Sequence, residues 1–123
     1  MLSNEVVSAV SLLVPGAKAD TAGATGAWID IRNYEGSIVV VSDIGTVTAG
    51  SIAGKIRTAT DGSGTGAADV AGATFVTVTT SNDPKTEAIR IACNACNGWI
   101  AYVGTVTTGP VDAGVVLLGN PKY

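Results

Sequence analysis

The chain has two cysteines and no histidine, and these two counts bound most of the chemistry open to it. Without imidazole there is no Ser-His-Asp or Cys-His triad, no ordinary histidine general base, and none of the commonest metal ligand. Cys93-Asn94-Ala95-Cys96 has redox-pair spacing. A thioredoxin-like thiol, however, needs a helix N-terminus inside a βαβ unit to lower its pKa, and this pair falls between two strand-like segments. Zinc would require two further soft ligands, which the sequence lacks. The pair therefore reads as two small, partly buried thiols. A disulfide between them stays open, with nothing pointing to an oxidising compartment.

Oxygen-based sites fare no better. Asp61, Ser63, Thr65 and Asp69 resemble the opening of a calcium loop, with Gly66 at the tight-turn position. Position twelve counted from Asp61 is Gly72, where the bidentate glutamate belongs, so the stretch reads as a plain glycine-rich loop. A glycosidase pair would have to come from Asp30 with Glu35 or Asp43, and acids spread this singly read as solvated. Trp28, Trp99, Tyr34 and Tyr102 are the candidates for a sugar-stacking platform. Aromatic residues are only 5% of the chain, though, and the two tryptophans sit in strand-like segments where core or interface burial is ordinary. No catalytic, cofactor-binding or metal-ligating residue is assigned, and the chain reads as a non-enzyme without a cofactor.

The elements that must position these residues are strands. Period-two alternation, Val and Thr enrichment and frequent glycine punctuation give an all-β reading. Val6 to Val14 is a first strand or a short arm, stopped by Pro15-Gly16, and 16–26 is a loop. Strands are expected at 27–31, 37–44, 51–59, 74–80, 87–93, 98–106 and 111–119, seven or eight in all. In TFVTVTT (74–80), Phe75 shares a face with Thr77 and Thr79, and Val76 with Val78. Neither face is strongly polar, so both are expected to be partly covered, by the second sheet or by another subunit. TDGSGTGAADVAGA (60–73) reads as a long surface loop that presents backbone, suited to packing against another protein. Turn signals at short, even spacing fit an antiparallel β-sandwich, jelly roll or barrel, because parallel pairing would need a dozen or more connecting residues.

GTVTAG (45–50) returns as GTVTTG (104–109). Each copy follows strand, short polar loop, strand, and each feeds a further apolar strand, so the hexapeptides are expected to mark equivalent corners of two similar three-strand meanders. The expected organisation is one domain over residues 1–123, with an N-terminal arm over about 1–15.

Composition excludes several partners. Hydrophobic residues are 46% and charged residues 14%, yet no apolar run reaches the ~20 residues of a membrane-spanning helix. Lys and Arg number 7 against 10 Asp and Glu, with no basic cluster to neutralise a phosphate backbone, so nucleic acid is not an expected partner. The apolar run from Val6 to Val14 carries Glu5 and no Lys or Arg ahead of Lys18, unlike a secretory leader, and is read as mature structure.

NYEGSIVVVSDIGTVTAG, KIRTATDG, VAGATFVTVTT and the closing VVLLGNPKY together resemble the small tailed-phage head proteins that include jelly-roll or β-sandwich capsid cement (decoration) proteins. The resemblance spans about Asn33 to Tyr123. It implies a bacteriophage structural protein, made in the host bacterial cytoplasm and resident on the virion. Such a protein binds the outside of an assembled shell of major capsid protein, usually as a dimer or trimer, and stabilises it without catalysis. The apolar arm Leu2 to Val14 and the tail Asn120 to Tyr123 are the candidate contact elements, because termini order chiefly when something holds them. The alternative is a carbohydrate-binding or adhesin module on the phage surface, with Trp and Tyr stacked on sugar; a small hydrolase is a third and remote reading.

Overall fold

Two segments rich in β-branched residues, 34–59 and 99–121, build the centre of the molecule. A computed structural model describes residues 8–121. Its strands are β1 (Ser8–Lys18), β2 (Ile29–Asp30), β3 (Tyr34–Val47), β4 (Gly50–Ala59), β5 (Ala68–Thr74), β6 (Val78–Thr79), β7 (Lys85–Ala92), β8 (Trp99–Thr108) and β9 (Val111–Pro121), with a single 3-10 turn at Cys93–Ala95. They form a four-stranded sheet ordered β1-β9-β3-β7 and a five-stranded sheet ordered β2-β8-β4-β5, with β6 also on β4. All pairings are antiparallel. Because β5 and β6 both pair with β4, they are two pieces of one interrupted strand, and eight strand positions result.

The pairing explains the architecture. β3 pairs β9 from Ile38↔Gly119 to Val47↔Val111, and β4 pairs β8 from Gly50↔Thr108 to Ala59↔Trp99. Residues 34–59 and 99–121 are thus one long antiparallel ribbon, folded over so that its two halves are the central pairs of the two sheets. Residues 8–30 follow the β9–β8 side through β1 and β2, and residues 68–92 follow the β3–β4 side through β5, β6 and β7. Four antiparallel segments rolled up in this way make a jelly roll.

Between the sheets, alternate side chains form the core. Ile38, Val40, Ile44, Val111, Val115 and Leu117 of one sheet meet Ile52, Ile56, Ile100 and Tyr102 of the other, each at 3% exposure or less. Two hydroxyls enter this core, and both are hydrogen-bonded. Ser42 meets the Tyr102 phenol, tying one sheet to the other. Thr58 Oγ1 donates to the Trp99 carbonyl at 2.8 Å and accepts from Asn97 N at 2.7 Å, pinning the turn that leads into β8. The Tyr102 ring lies flat where a side chain on Gly54 would overlap its hydroxyl, so the close approach of the ring requires glycine there.

The structure corrects several local expectations. Pro15-Gly16 does not stop the first strand: β1 runs through both to Lys18, with register shifts between Ser11 and Gly16 that absorb the irregularity. Segment 60–73 is not all loop. Its second half is β5, held to β4 by the pairing Arg57↔Asp69, which is also an ion pair at 3.0 Å. TFVTVTT is not one strand. The backbone is irregular over 75–77, so Phe75 and Val78 both turn inward while Val76 is 53% exposed. Nor do the hexapeptides sit in meanders. Consecutive strands lie in different sheets except across β4-β5-β6, and each hexapeptide marks the place where the ribbon passes from one sheet to the other.

Candidate interaction face

The outer faces of the two sheets differ at their centres and in how their charges are paired. On the five-stranded sheet, outward positions carry Ser51, Lys55, Arg57, Asp69, Thr105 and Thr107 among the apolar Ala53, Trp99, Ala101 and Val103, with Asp69 bridging Lys55 at 3.2 Å and Arg57 at 3.0 Å. That is an ordinary solvated face. On the four-stranded sheet the centre of the outward face is apolar, although Ser11, Ser37, Asp43, Thr86, Arg90 and Asp112 also stand at outward positions. Val39 pairs Leu118, and Val41 pairs Val116, at the centre; Ala88 and Ala92 of β7 and Ala9 of β1 extend the surface on both flanks. β3 and β9 are therefore apolar on both sides over 38–41 and 115–118, with Val39, Val41, Val116 and Leu118 each partly exposed, a pattern more usual for strands covered on both sides than for an outer layer in water.

Charge frames this face. Arg90 pairs Val39 at one end. At the other end stand Asp43, whose Oδ1 accepts from Thr86 Oγ1 at 3.0 Å, and Asp112, against which Gly45 packs. A shallow groove of about 550 Å³ lies at this acidic end, lined by Pro15, Val41, Thr86 and Val116, with Pro15 packed on Gly114 and Asp112 on Gly45. The face can exclude water over a flat apolar centre and orient a partner through the charges at its ends.

The residues singled out for chemistry are committed elsewhere. Cys93 and Cys96 are half-buried thiols packed against the core, beside a hollow of about 430 Å³ that Arg32, Tyr34 and Asn94 also line. Burial first, and then the neighbouring Cys93, push the Cys96 thiol above its ordinary pKa, so the reactive thiolate is disfavoured. Asp61 accepts backbone N–H bonds from Ser63 at 2.9 Å and Thr65 at 3.1 Å. The Thr65 hydroxyl and these N–H groups hold its pKa down, and its oxygens close the loop. Asp30 chelates the Arg32 guanidinium at 2.9 and 2.7 Å, and this bond lowers its pKa. Asp30 and Asp43 lie in different sheets, and Glu35 is exposed at the start of β3, so the three acids do not converge.

The four aromatic residues form no common platform. Tyr34 and Tyr102 are buried. Trp28 and Trp99 are half-buried beneath the 60–67 loop, with Gly64 against Trp28 and Gly62 against Trp99. The Arg32 guanidinium stacks on the Trp99 ring, 5.6 Å from its centroid, and occupies the surface a sugar would use.

Of the proposed contact arm, residues 2–7 lie outside the described residues; 8–14 are integral β1, with Leu12 and Leu13 buried in the core and Val14 exposed. Of the tail, Asn120 and Pro121 belong to the end of β9, and residues 122 and 123 lie outside the described residues. The apolar sheet face was missed as a site. Its signal was the unbroken runs IVVV (38–41) and GVVLLG (114–119), in which the outward residues are as apolar as the inward ones. The chain matches no family model, no curated protein and no solved structure.

Proposed function

We propose that this chain is a non-catalytic assembly protein of a tailed-phage particle, a cement protein that sits on the outside of the assembled shell of major capsid protein and stabilises it. One observation carries the reading: the outer face of the four-stranded sheet is a continuous apolar surface of Val39, Val41, Val116 and Leu118 bordered by charge. Burial of such a surface contributes roughly 25 cal/mol per Å², so exposing it in the working state is unfavourable and covering it drives association. The jelly roll supports the reading as an architecture recurrent in viral capsid domains. So does the engagement of Asp30, Asp61 and Asp69 in ion pairs and loop closure. In a shell with many copies, modest contacts made by joined subunits add through avidity.

The alternative module that stacks aromatics on sugar draws no support from the geometry, because Arg32 and the glycine loop cover Trp99 and Trp28. The test is direct. Purified chain is mixed with purified shells that lack it. Co-sedimentation at saturable stoichiometry with a rise in shell melting temperature is expected; a chain that stays in the supernatant and leaves shell melting unchanged removes the reading.

A further inference from the structure

We infer that the apolar outer face of the four-stranded sheet receives a second copy of this chain, about a twofold axis that lies in the interface at right angles to the strands and passes over Val41 and Val116. The inference rests on the reading of that face as an assembly surface and names what covers it.

The face complements itself about that axis. Val41, Val116 and Ala88 stand in one row across β3, β9 and β7. Two residues to one side lie Val39, Leu118 and Arg90; two residues to the other lie Asp43, Gly114 and Thr86. A twofold axis through the middle row keeps each strand over its own copy and exchanges the outer rows. Leu118 of one copy then lies over Gly114 of the other, beside Pro15, which packs over that glycine. Arg90 of one copy falls above the Thr86–Asp43 pair of the other, whose 3.0 Å hydrogen bond holds the carboxylate toward β7. Arg90 has no ion-pair partner among the described residues. The lone cation and the acidic corner of the single copy thus meet across the axis, while the same exchange sets Val39 over Asp43.

Charge decides between the two twofold arrangements available to stacked sheets. An axis parallel to the strands would lay β3 over β9 and bring Asp43 and Asp112 of both copies together, four carboxylates at one end, a like-charge juxtaposition that opposes docking. The perpendicular axis separates them. Four strands at about 4.8 Å spacing over about eight residues give a face of roughly 500 Å². Two such faces bury about 1,000 Å², at the lower limit for a specific interface.

Sedimentation equilibrium of the full chain, loaded up to about 100 μM so as to exceed the weak end of the affinities known for protein interfaces, is the test. The wild type is expected at twice its 12.2 kDa chain mass. Arg90→Glu, which places like charges over Asp43, is expected to weaken dimerisation about tenfold or more. The double exchange Arg90→Glu with Asp43→Arg is expected to restore it. Thermal melting verifies that each variant is folded, and Ala88→Glu, an exposed position in the central row, serves as a second disrupting variant. A monomer at the highest loading, a trimer, or a dimer indifferent to both disrupting variants overturns the inference. Shell co-sedimentation separates the two readings: a monomer that binds shells removes the twofold and leaves the cement assignment, whereas a charge-sensitive dimer that ignores shells removes the cement assignment and leaves the twofold.

Discussion

Gly50 and Gly109, the last residues of the two repeated hexapeptides, turn the same corner in adjacent strands, with φ of 77° and 71°. Gly50 pairs Thr108, and Gly109 N donates to the Ala49 carbonyl at 3.1 Å, so the ribbon stays hydrogen-bonded while it crosses between sheets. The repetition in the sequence thus has a geometric cause. Both strands of the ribbon must bend at one point, and each places a glycine in the left-handed region there.

A side chain at Gly50 would fall on the Thr107 carbonyl oxygen as well as adopt that strained φ. Gly66 has a similar φ of 67° with open space around it. Gly66→Ala is therefore expected to cost only the conformational term, about 1 kcal/mol, and Gly50→Ala roughly 3 kcal/mol or more. Urea denaturation of both variants checks this, and equal losses would show that the corner is not tightly packed.

Burial of the Tyr102 phenol between the sheets gives a pH dependence. Burial raises the Tyr102 pKa from 10.0 to about 12, with the Ser42 hydrogen bond acting in the opposite direction. The unfolded chain releases this proton first. The contribution is therefore complete below pH 10 and falls as pH rises toward 12, by on the order of 2–3 kcal/mol. Denaturation curves of wild type and Tyr102→Phe across this window should converge as pH rises, since the variant lacks the titrating group. Parallel curves would contradict a buried phenol.

Thr58→Val is nearly isosteric but removes both bonds that fix the 97–99 turn. With Asn97 N left without its acceptor, the loss is expected at about 1–3 kcal/mol. Amide exchange at Asn97 should accelerate in the variant; unchanged protection would assign the turn's stability elsewhere.

The residues of the core were legible because their periodicity is strict. In β4 and β8, Ile52, Ile56, Ile100 and Tyr102 alternate with smaller or polar neighbours, and the strand limits fall within about two residues of those read from the pattern. What escaped was whatever depends on a distant partner. Val70 and Ala73 sit in a glycine-rich stretch, and only the pairing of β5 with β4, reinforced by Asp69 to Arg57, makes a strand of it. Phe75 and Val78 break period two, since the chain kinks between β5 and β6 to bury both. The proposed interaction face escaped for a further reason. An apolar run such as IVVV reads as a strand covered on both sides whether the cover is a second sheet or another molecule, and periodicity alone cannot separate the two.

The account turns on that face. Val41 and Val116 are directly opposed, so Val41→Lys with Val116→Glu places a cross-strand ion pair at its centre and solvates it without like-charge repulsion. The decisive measurement is the amount of this double variant that pellets with purified shells, relative to wild type, once its melting curve shows that it is folded. The account predicts that wild type saturates the shells as joined pairs and that the variant, left single and without their avidity, stays in solution. A folded variant that binds shells as fully as wild type would contradict it.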